Sequence, residues 1–148
     1  MEQALRIRPA QVEERGRLED LQRRASLALH EYRDALLAHP EAIALPAEPI
    51  ERGEVLVAEM GGQLAGFAVI VDDQGSAELD GLFVEPELWR RGIGSALIEE
   101  AVDHARRRGL SLITVVASPA AKEFYACRGF SVEGEASTRF GPAVRMSR

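Results

Sequence analysis

The sequence predicts a mixed α/β (α+β) fold in which a central, mostly antiparallel sheet carries helices on both faces. Three β-rich segments between residues 55 and 84 are separated only by tight turns, which is typical of an antiparallel meander. A long amphipathic helix and another β-rich segment follow them. Because a strand–helix–strand order requires a crossover, we expect the two strands on either side of this helix to be parallel. The sheet is therefore predicted to be mixed.

The first third of the chain predicts one strand followed by two helices. Residues 5–8 alternate apolar and charged side chains and end at Pro9, which suits a short strand. Apolar residues recur at helical spacing over residues 11–29, and a second helical piece covers residues 31–37 and stops near Pro40. Residues 40–52 hold three prolines and few other signals. We expect that segment to be a mobile loop.

Turn residues delimit the middle strands. Residues 55–60 and 63–71 are β-rich and flank Gly61-Gly62, a pair that suits a tight hairpin turn. A second turn at residues 72–75 leads to a strand over residues 77–84, which ends before Pro86.

The second half of the chain predicts two more helices and three more strands. Residues 92–108 place apolar and charged side chains on opposite faces of a helix that Gly109 can cap. Residues 112–117 are uncharged, which is the pattern of a buried strand. Ser118 and Pro119 then suit the start of a helix that closes near Gly129. Residues 130–135 and 140–146 form a final strand pair.

Length and composition limit the classes of function. The 148 residues are the size of one domain, which we expect to span residues 1–148. The 24 acidic and 18 basic residues leave a net charge of −6, which argues against broad nucleic-acid binding. One cysteine excludes an intrachain disulfide, and the three histidines form no metal-ligand grouping. The longest uncharged stretch, residues 109–121, is too short to span a bilayer. These features predict a soluble cytoplasmic protein that binds no metal and no membrane.

An anion site is predicted where the strand over residues 77–84 leads into the long helix. Arg90, Arg91, Gly92 and Gly94 lie in the connecting turn. The first N–H groups of a helix are unpaired and form a positive dipole end, and glycines let a ligand approach the backbone. Phosphate is the anion that such a turn suits best.

Two well-known phosphate loops do not match this turn. A Walker loop has Gly-Lys-Ser/Thr, but Gly94 is followed by Ser95. A dinucleotide fold has a third glycine where this chain has Leu97, and it has an acid about 20 residues further on. Residues 110–116 contain no acid.

The chain instead resembles the GCN5-related N-acetyltransferase (GNAT) superfamily. That family has Gln/Arg-x-x-Gly-x-Gly/Ala at the start of its central helix; Gly92 and Gly94 match this pattern, while Trp89 stands where the family has Gln or Arg. Its second motif is Asn-x-x-Ala-x-x-Phe-Tyr-x-x-x-Gly-Phe, which corresponds to residues 118–130 with Ser118 in place of Asn. The matching residues of this second motif are Ala121, Phe124, Tyr125, Gly129 and Phe130.

The resemblance implies a GNAT-like fold with splayed fourth and fifth strands and an acetyl-CoA-dependent N-acetyltransferase activity. It implies direct transfer of the acetyl group to a primary amine of a small molecule or a peptide, without a metal. The main chain of strand four would bond the pantetheine, the turn and helix start would hold the pyrophosphate, and the second motif would add one hydroxyl. The implied coenzyme A contacts are Leu82, Phe83, Val84, Arg90, Arg91, Gly92, Ile93, Gly94, Ser95 and Ser118.

Two proton transfers need side chains. The resemblance gives Tyr125 the role of donor to the leaving thiolate, although a tyrosine on an apolar helix face is more often part of a core. It gives Glu78 the role of base, and Asp80, which alternates onto the same face of the strand, is the alternative. A solvated face or an ion pair would show the same two carboxylates, and water is a third acceptor.

Other readings of the chain stay open. A CoA-binding regulatory or sensor module without turnover would carry the same motifs, and so would a transferase that uses another acyl-CoA. The resemblance leaves both a monomer and a homodimer open. His30 and Tyr32 lie between the first two helices, where the family builds its acceptor site. Cys127 is expected to be a small buried thiol, since no histidine accompanies it.

Overall fold

The structure, a computed structural model, describes residues 4–148 apart from the side chains of residues 30–32. A seven-stranded sheet has the strand order β1-β2-β3-β4-β5-β7-β6. The strands are β1 (Leu5–Pro9), β2 (Val55–Met60), β3 (Gln63–Asp73), β4 (Ser76–Val84), β5 (Ile113–Ala117), β6 (Ser131–Thr138) and β7 (Gly141–Ser147). The helices are α1 (Arg15–Leu27), α2 (His30–Ala38), α3 (Ala47–Glu51), α4 (Ile93–Arg107) and α5 (Lys122–Ala126).

The sheet is mixed in the way that the sequence predicts. The pair β4–β5 is parallel, with α4 as its crossover, and the other neighbouring strands pair antiparallel. The hairpin between β2 and β3 turns at Gly61 and Gly62, both of which have positive φ. The predicted fold class is confirmed.

The first helix does not begin where the apolar pattern begins. A 3-10 turn over Val12–Glu14 precedes α1. The buried carboxylate of Glu14 accepts hydrogen bonds from the main-chain N–H of Gln11 at 2.8 Å and from the Arg8 guanidinium at 2.7 Å. This pair attaches the start of the helical region to β1 and holds the pKa of Glu14 below its usual value.

The segment over residues 40–52 is mostly helical, and the prediction of a loop was wrong for that part of it. It forms a 3-10 turn (Pro40–Ala42) and the short helix α3, and the side chains of Ile43, Leu45 and Ile50 are buried. Proline in the first turn of a helix breaks no hydrogen bond, because the N–H groups there have no helical partner. Pro40 begins the 3-10 turn, Pro46 is the N-cap of α3, and Pro49 lies in the first turn of α3, so none of the three prevents helical structure.

Two apolar cores lie on opposite faces of the sheet. In β2, Val55 and Val57 face α1 and α3, whereas Leu56 and Ala58 face α4. The alternation follows from the two-residue period of a strand, and it explains why β2 reads as a continuous apolar run. Within the described residues, no helix combines the length and the apolar character that crossing a membrane requires.

Candidate active site

A cleft opens where β4 and β5 part. The two strands pair only between Ala77–Leu79 and Ile113–Val115. Beyond Leu79 they diverge and enclose a cleft of about 620 Å³. The start of α4, the helix α5 and the last turn of α1 complete its walls. The predicted splay of strands four and five is therefore confirmed.

The main chain of β4 faces this cleft at alternate residues. The N–H of Glu85 donates to the carbonyl of Ala65 on β3 at 2.8 Å. Because hydrogen-bonded pairs alternate along an antiparallel ladder, the main-chain groups of Phe83 point toward β3 and those of Leu82 and Val84 toward the cleft. The Phe83 ring packs on Phe67, with 5.2 Å between centroids. Of the three residues on this strand that the resemblance assigns to pantetheine, Phe83 thus directs its main-chain groups away from the cleft.

The turn before α4 exposes backbone N–H groups at the cleft. Gly92 has a φ of 81° and is the N-cap, so no side chain occupies the start of the helix. The first helical hydrogen bond of α4 runs from the Ala96 N–H to the Gly92 carbonyl at 3.0 Å. The N–H groups of Ile93, Gly94 and Ser95 therefore have no acceptor within the helix and are available to an anion. These residues line the cleft together with Arg90, which has a φ of 66°.

Gly94 serves packing inside the wall. A Cβ at this position would lie 3.2 Å from Cζ of Phe124 and 3.8 Å from Cγ2 of Val84. The missing side chain therefore lets the Phe124 ring lie against the first turn of α4. The Phe124 ring fills the space that the missing side chain of Gly94 leaves, and this ring is itself part of the cleft wall.

Trp89 connects the turn to β4. Its indole N–H donates to the carbonyl of Val84 at 2.8 Å, and its side chain is 39% exposed at the mouth of the cleft. This bond crosses the 3-10 turn Pro86–Leu88 and ties the turn before α4 to the end of β4. Trp89 holds the backbone in place and brings no charge to the position where the family has Gln or Arg.

The two neighbouring arginines of the turn differ in position. Both side chains are exposed, but Arg90 lines the cleft and Arg91 lies outside its lining. Ser118 lines the far wall, and its hydroxyl oxygen accepts the N–H of Ala121 at 3.2 Å, as expected for an N-cap.

Tyr125 is buried and lines the cleft. Its side chain is 8% exposed and contacts two rings edge to face, Phe124 at 5.1 Å and Phe130 at 5.4 Å. Such contacts hold an aromatic ring in one orientation. The side chain thus belongs to the core and to the cleft wall at once.

The two carboxylates of β4 do not simply alternate. Val69 pairs with Gly81 and Ile70 with Leu79, so Asp80 is the extra residue of a β-bulge. Asp80 is exposed and lines the cleft.

Glu78 is half-buried and lies outside the lining of the cleft. It pairs with Val71, which faces the core beneath α1. Burial raises the pKa of Glu78, the nearby charges of Asp80 and Asp73 raise it further, and Arg145 opposes them.

Sequence reasoning missed Arg128, which lines the cleft and bonds to Ser95 on α4. It lies inside the second motif, at a position that the motif leaves open, so the pattern itself carried no signal for it. The neighbouring Cys127 is exposed, so the prediction that its thiol is buried was wrong. It directly follows α5, which places only Tyr125 of its residues in the core.

Some expected features lie elsewhere or outside the described part. The side chains of His30 and Tyr32 lie outside the described residues. In the part of the chain that is described, no three His, Cys, Asp or Glu side chains converge as metal ligands.

Comparison with known proteins agrees with this geometry. The model of the acetyltransferase (GNAT) family matches residues 17–130. An uncharacterised N-acetyltransferase of Methanocaldococcus jannaschii is 33% identical over 84 residues, which are 50% of this chain and 37% of that protein.

Solved structures share the fold over nearly the whole chain. The PaiA N-acetyltransferase of Thermoplasma acidophilum in complex with coenzyme A has a TM-score of 0.79 at 22% identity and covers 98% of each chain. The ribosomal-protein-S18-alanine N-acetyltransferase of Escherichia coli has a TM-score of 0.72 at 20% identity, over 97% of this chain and 92% of its own. The family model spans more than half of the sequence and includes both glycine-containing motifs, and the chain therefore belongs to the acetyltransferase (GNAT) family.

Proposed function

We propose that this protein is an acetyl-CoA-dependent N-acetyltransferase that transfers the acetyl group directly to a primary amine of a small molecule or a peptide. The observation that carries the proposal is the open cleft between β4 and β5. One wall offers the main-chain groups of Leu82 and Val84, and the first turn of α4 lies beside Val84. An elongated ligand with amide groups and a pyrophosphate suits this arrangement.

In this proposal, different parts of coenzyme A contact different elements along the cleft. Leu82 bonds the amides of the pantetheine through its main chain, and Val84 does so through its N–H, because the Val84 carbonyl accepts from Trp89. The N–H groups between Arg90 and Ser95 hold the pyrophosphate, with help from the positive end of the α4 dipole. In this proposal Arg91 contributes its main chain, because its side chain lies outside the cleft. Ser118 adds a hydroxyl on the opposite wall.

Tyr125 is proposed as the proton donor. Acetyl-CoA supplies the acetyl group as a thioester. The Tyr125 hydroxyl gives its proton to the sulfur as the C–S bond breaks and the new C–N bond forms, which avoids release of a free thiolate. Its buried ring supports this role, because the aromatic contacts keep the phenol in one place.

Glu78 is proposed as the base, acting through an intervening water because it does not line the cleft. Burial and the nearby carboxylates raise the pKa of Glu78, which makes its carboxylate a stronger base. Asp80, which does line the cleft, is the alternative base. A protonated amine must lose two protons, one before it attacks and one as the amide forms. The carboxylate accepts the first, and the second replaces the proton that Tyr125 gives to the sulfur.

The acceptor is proposed only as a class. The name of the E. coli neighbour gives an alanine of a ribosomal protein as its substrate, so the proposal includes peptide amines beside small ones. The proposal describes a single acetyltransferase domain over residues 1–148 that acts in the cytoplasm as a monomer or a homodimer.

Turnover is the test. The protein is incubated with acetyl-CoA and a panel of primary amines and peptides, released thiol is followed by absorbance, and the acetylated product is identified by mass spectrometry. A reaction without amine measures background hydrolysis. Binding of acetyl-CoA without turnover of any amine would instead indicate a regulatory module, and preference for a longer acyl-CoA would change the donor.

A further inference from the structure

Arg128 is held in the cleft from three sides. Its Nε–H donates to Ser95 Oγ at 2.7 Å, and Nη1 donates to the carbonyl of Phe124 at 2.7 Å. The guanidinium carbon also lies 3.8 Å from the centroid of the Phe124 ring. The half-buried guanidinium is therefore ordered at the first turn of α4 before any ligand binds.

All of these partners are neutral. Among the described residues, no carboxylate pairs with Arg128, in contrast to Arg24, which pairs with Glu85, and Arg148, which pairs with Glu99. A helix favours cations at its C-terminus and anions at its N-terminus. A cation beside the N-terminus of α4 without a counter-charge is electrostatically unfavourable until an anion occupies the space between them.

The bond between Arg128 and Ser95 also prepares a second donor. Ser95 Oγ accepts the guanidinium N–H, so the hydroxyl proton of Ser95 stays available for another acceptor. Ser95 is the third residue of α4, where the N–H groups are unpaired as well. Arginine has five N–H donors, of which these contacts use two.

We propose that Arg128 and Ser95 form a side-chain clamp for the pyrophosphate of coenzyme A. The clamp rests on the proposed function. It supplies the positive charge that Trp89 does not bring to the turn before α4, and Arg128 does so from the turn that follows α5. Arg128 is a binding residue in this proposal and takes no part in proton transfer.

The test compares three ligands that lose phosphates stepwise. Coenzyme A and 3′-dephospho-CoA, which keeps the pyrophosphate, are titrated by calorimetry; pantetheine, which has no phosphate, is followed at millimolar concentration by NMR shifts. The variants are Arg128→Gln, Arg128→Lys and Ser95→Ala. Arg106→Gln is the matched control, since it removes one arginine from α4 at a position about 16 Å along the helix from Ser95.

Arg128→Gln is expected to weaken both nucleotides by about 10- to 100-fold and to leave pantetheine unchanged. Arg128→Lys keeps the positive charge but lacks the several planar N–H donors of the guanidinium, so it should give an intermediate loss of affinity. Ser95→Ala should weaken the affinity for both nucleotides by about 3- to 10-fold. The double variant with Arg128→Gln and Ser95→Ala should lose less affinity than the product of the two single losses, because the two side chains act together. The control should bind all three ligands like the wild type.

Several results would overturn the clamp. Equal weakening of all three ligands would mean that Arg128 only orders Phe124 and the cleft. Weaker binding of coenzyme A alone would indicate that Arg128 contacts the 3′-phosphate and not the pyrophosphate. Unchanged affinity in folded Arg128→Gln and Arg128→Lys would remove the contact entirely. A wild-type protein that binds none of the three ligands would overturn the proposed function instead of the clamp.

Discussion

Tyr125 combines a structural position with a proposed chemical role. The ring is buried between Phe124 and Phe130 and still reaches the cleft. Replacing tyrosine with phenylalanine keeps these ring contacts and removes only the hydroxyl. The substitution therefore separates packing from chemistry at a single atom.

Tyr125→Phe is expected to lower kcat by about 10²-fold or somewhat less, because general acid catalysis contributes about 10²–10⁴-fold and a thiol is a good leaving group. The affinity for acetyl-CoA should change by less than about twofold. Steady-state kinetics and calorimetry measure the two quantities, with a thermal melt as the control for folding. Wild-type turnover in the variant would leave Tyr125 as a core residue only.

Glu78 is expected to destabilise the fold at neutral pH. Burial and the charges of Asp80 and Asp73 raise its pKa in the folded protein. A carboxyl group whose pKa is raised on folding contributes stability at pH values below its pKa in the unfolded state. This contribution is lost as the pH rises through its pKa in the folded state. Glu78→Gln should therefore melt at a higher temperature than the wild type at pH 7, and the difference should vanish near pH 4.

Melts at both pH values check this sign. The control is Glu135→Gln, which removes an exposed carboxylate from β6 and should change the melting temperature little at either pH. A Glu78→Gln protein that is less stable at pH 7 would show that the carboxylate makes a favourable bond in the fold.

The pH–rate profile identifies the base. Glu78→Gln should lower turnover at neutral pH, with partial recovery as the pH rises and free amine becomes abundant. If Asp80→Asn alone flattens the acidic limb, then Asp80 is the base. If neither variant changes the profile, water accepts the proton.

At the scale of elements, the start of α4 depends on its contact with α5. Gly94 on α4 leaves room for Phe124 of α5, and the Phe124 ring carries the Arg128 guanidinium. The geometry of the proposed anion site therefore depends on the contact between two helices that are about 30 residues apart in the chain. A change in their contact is expected to reach the ligand without touching it.

Gly94→Val is expected to weaken coenzyme A affinity about tenfold and to cost about 1–3 kcal/mol of stability, because Phe124 must move. Gly16→Val on α1 is the control: a Cβ there meets no atom within 4 Å, so affinity should not change. Calorimetry and thermal melts of both variants give the comparison. Unchanged affinity in folded Gly94→Val would mean that the ligand does not depend on the position of this ring.

At the scale of the molecule, the cleft separates two halves of one sheet. Strands β1 to β4 lie on one side, and β5, β7 and β6 lie on the other. The parallel pairing that joins these halves is short, covering Ala77–Leu79 and Ile113–Val115. A ligand in the cleft would contact both halves and add to the few bonds that join them.

Coenzyme A is therefore expected to stabilise the whole fold. A ligand at 100 times its dissociation constant adds about 2.7 kcal/mol by mass action. For a chain of this size, that should raise the melting temperature by roughly 5–10 °C. A thermal-shift assay with pantetheine and adenosine as separate controls measures it. No shift at millimolar coenzyme A, together with no heat of binding, would contradict the proposed function.

Much of the fold was predictable because local rules decide it. Alternation in β1, the glycine pair at residues 61–62 and the amphipathic pattern of α4 each depend on neighbours in the chain. The prediction failed over much of residues 40–52, where Leu45 and Ile50 pack with side chains of α1 and β2 and the proline-rich segment forms helical turns. It also missed the bulge at Asp80, because a bulge is a property of two paired strands.

The sequence by itself determined the family, the order of the elements and the segments that form the site, because two motifs with fixed spacing carry them. Only the tertiary structure decided which groups face the cleft: Leu82 and Val84 but not the main chain of Phe83, Asp80 but not Glu78, and Arg128 from a position that the motif leaves open. The physical reason is that hydrogen-bond register and charge pairing join residues far apart in the chain, and no local pattern records such partners.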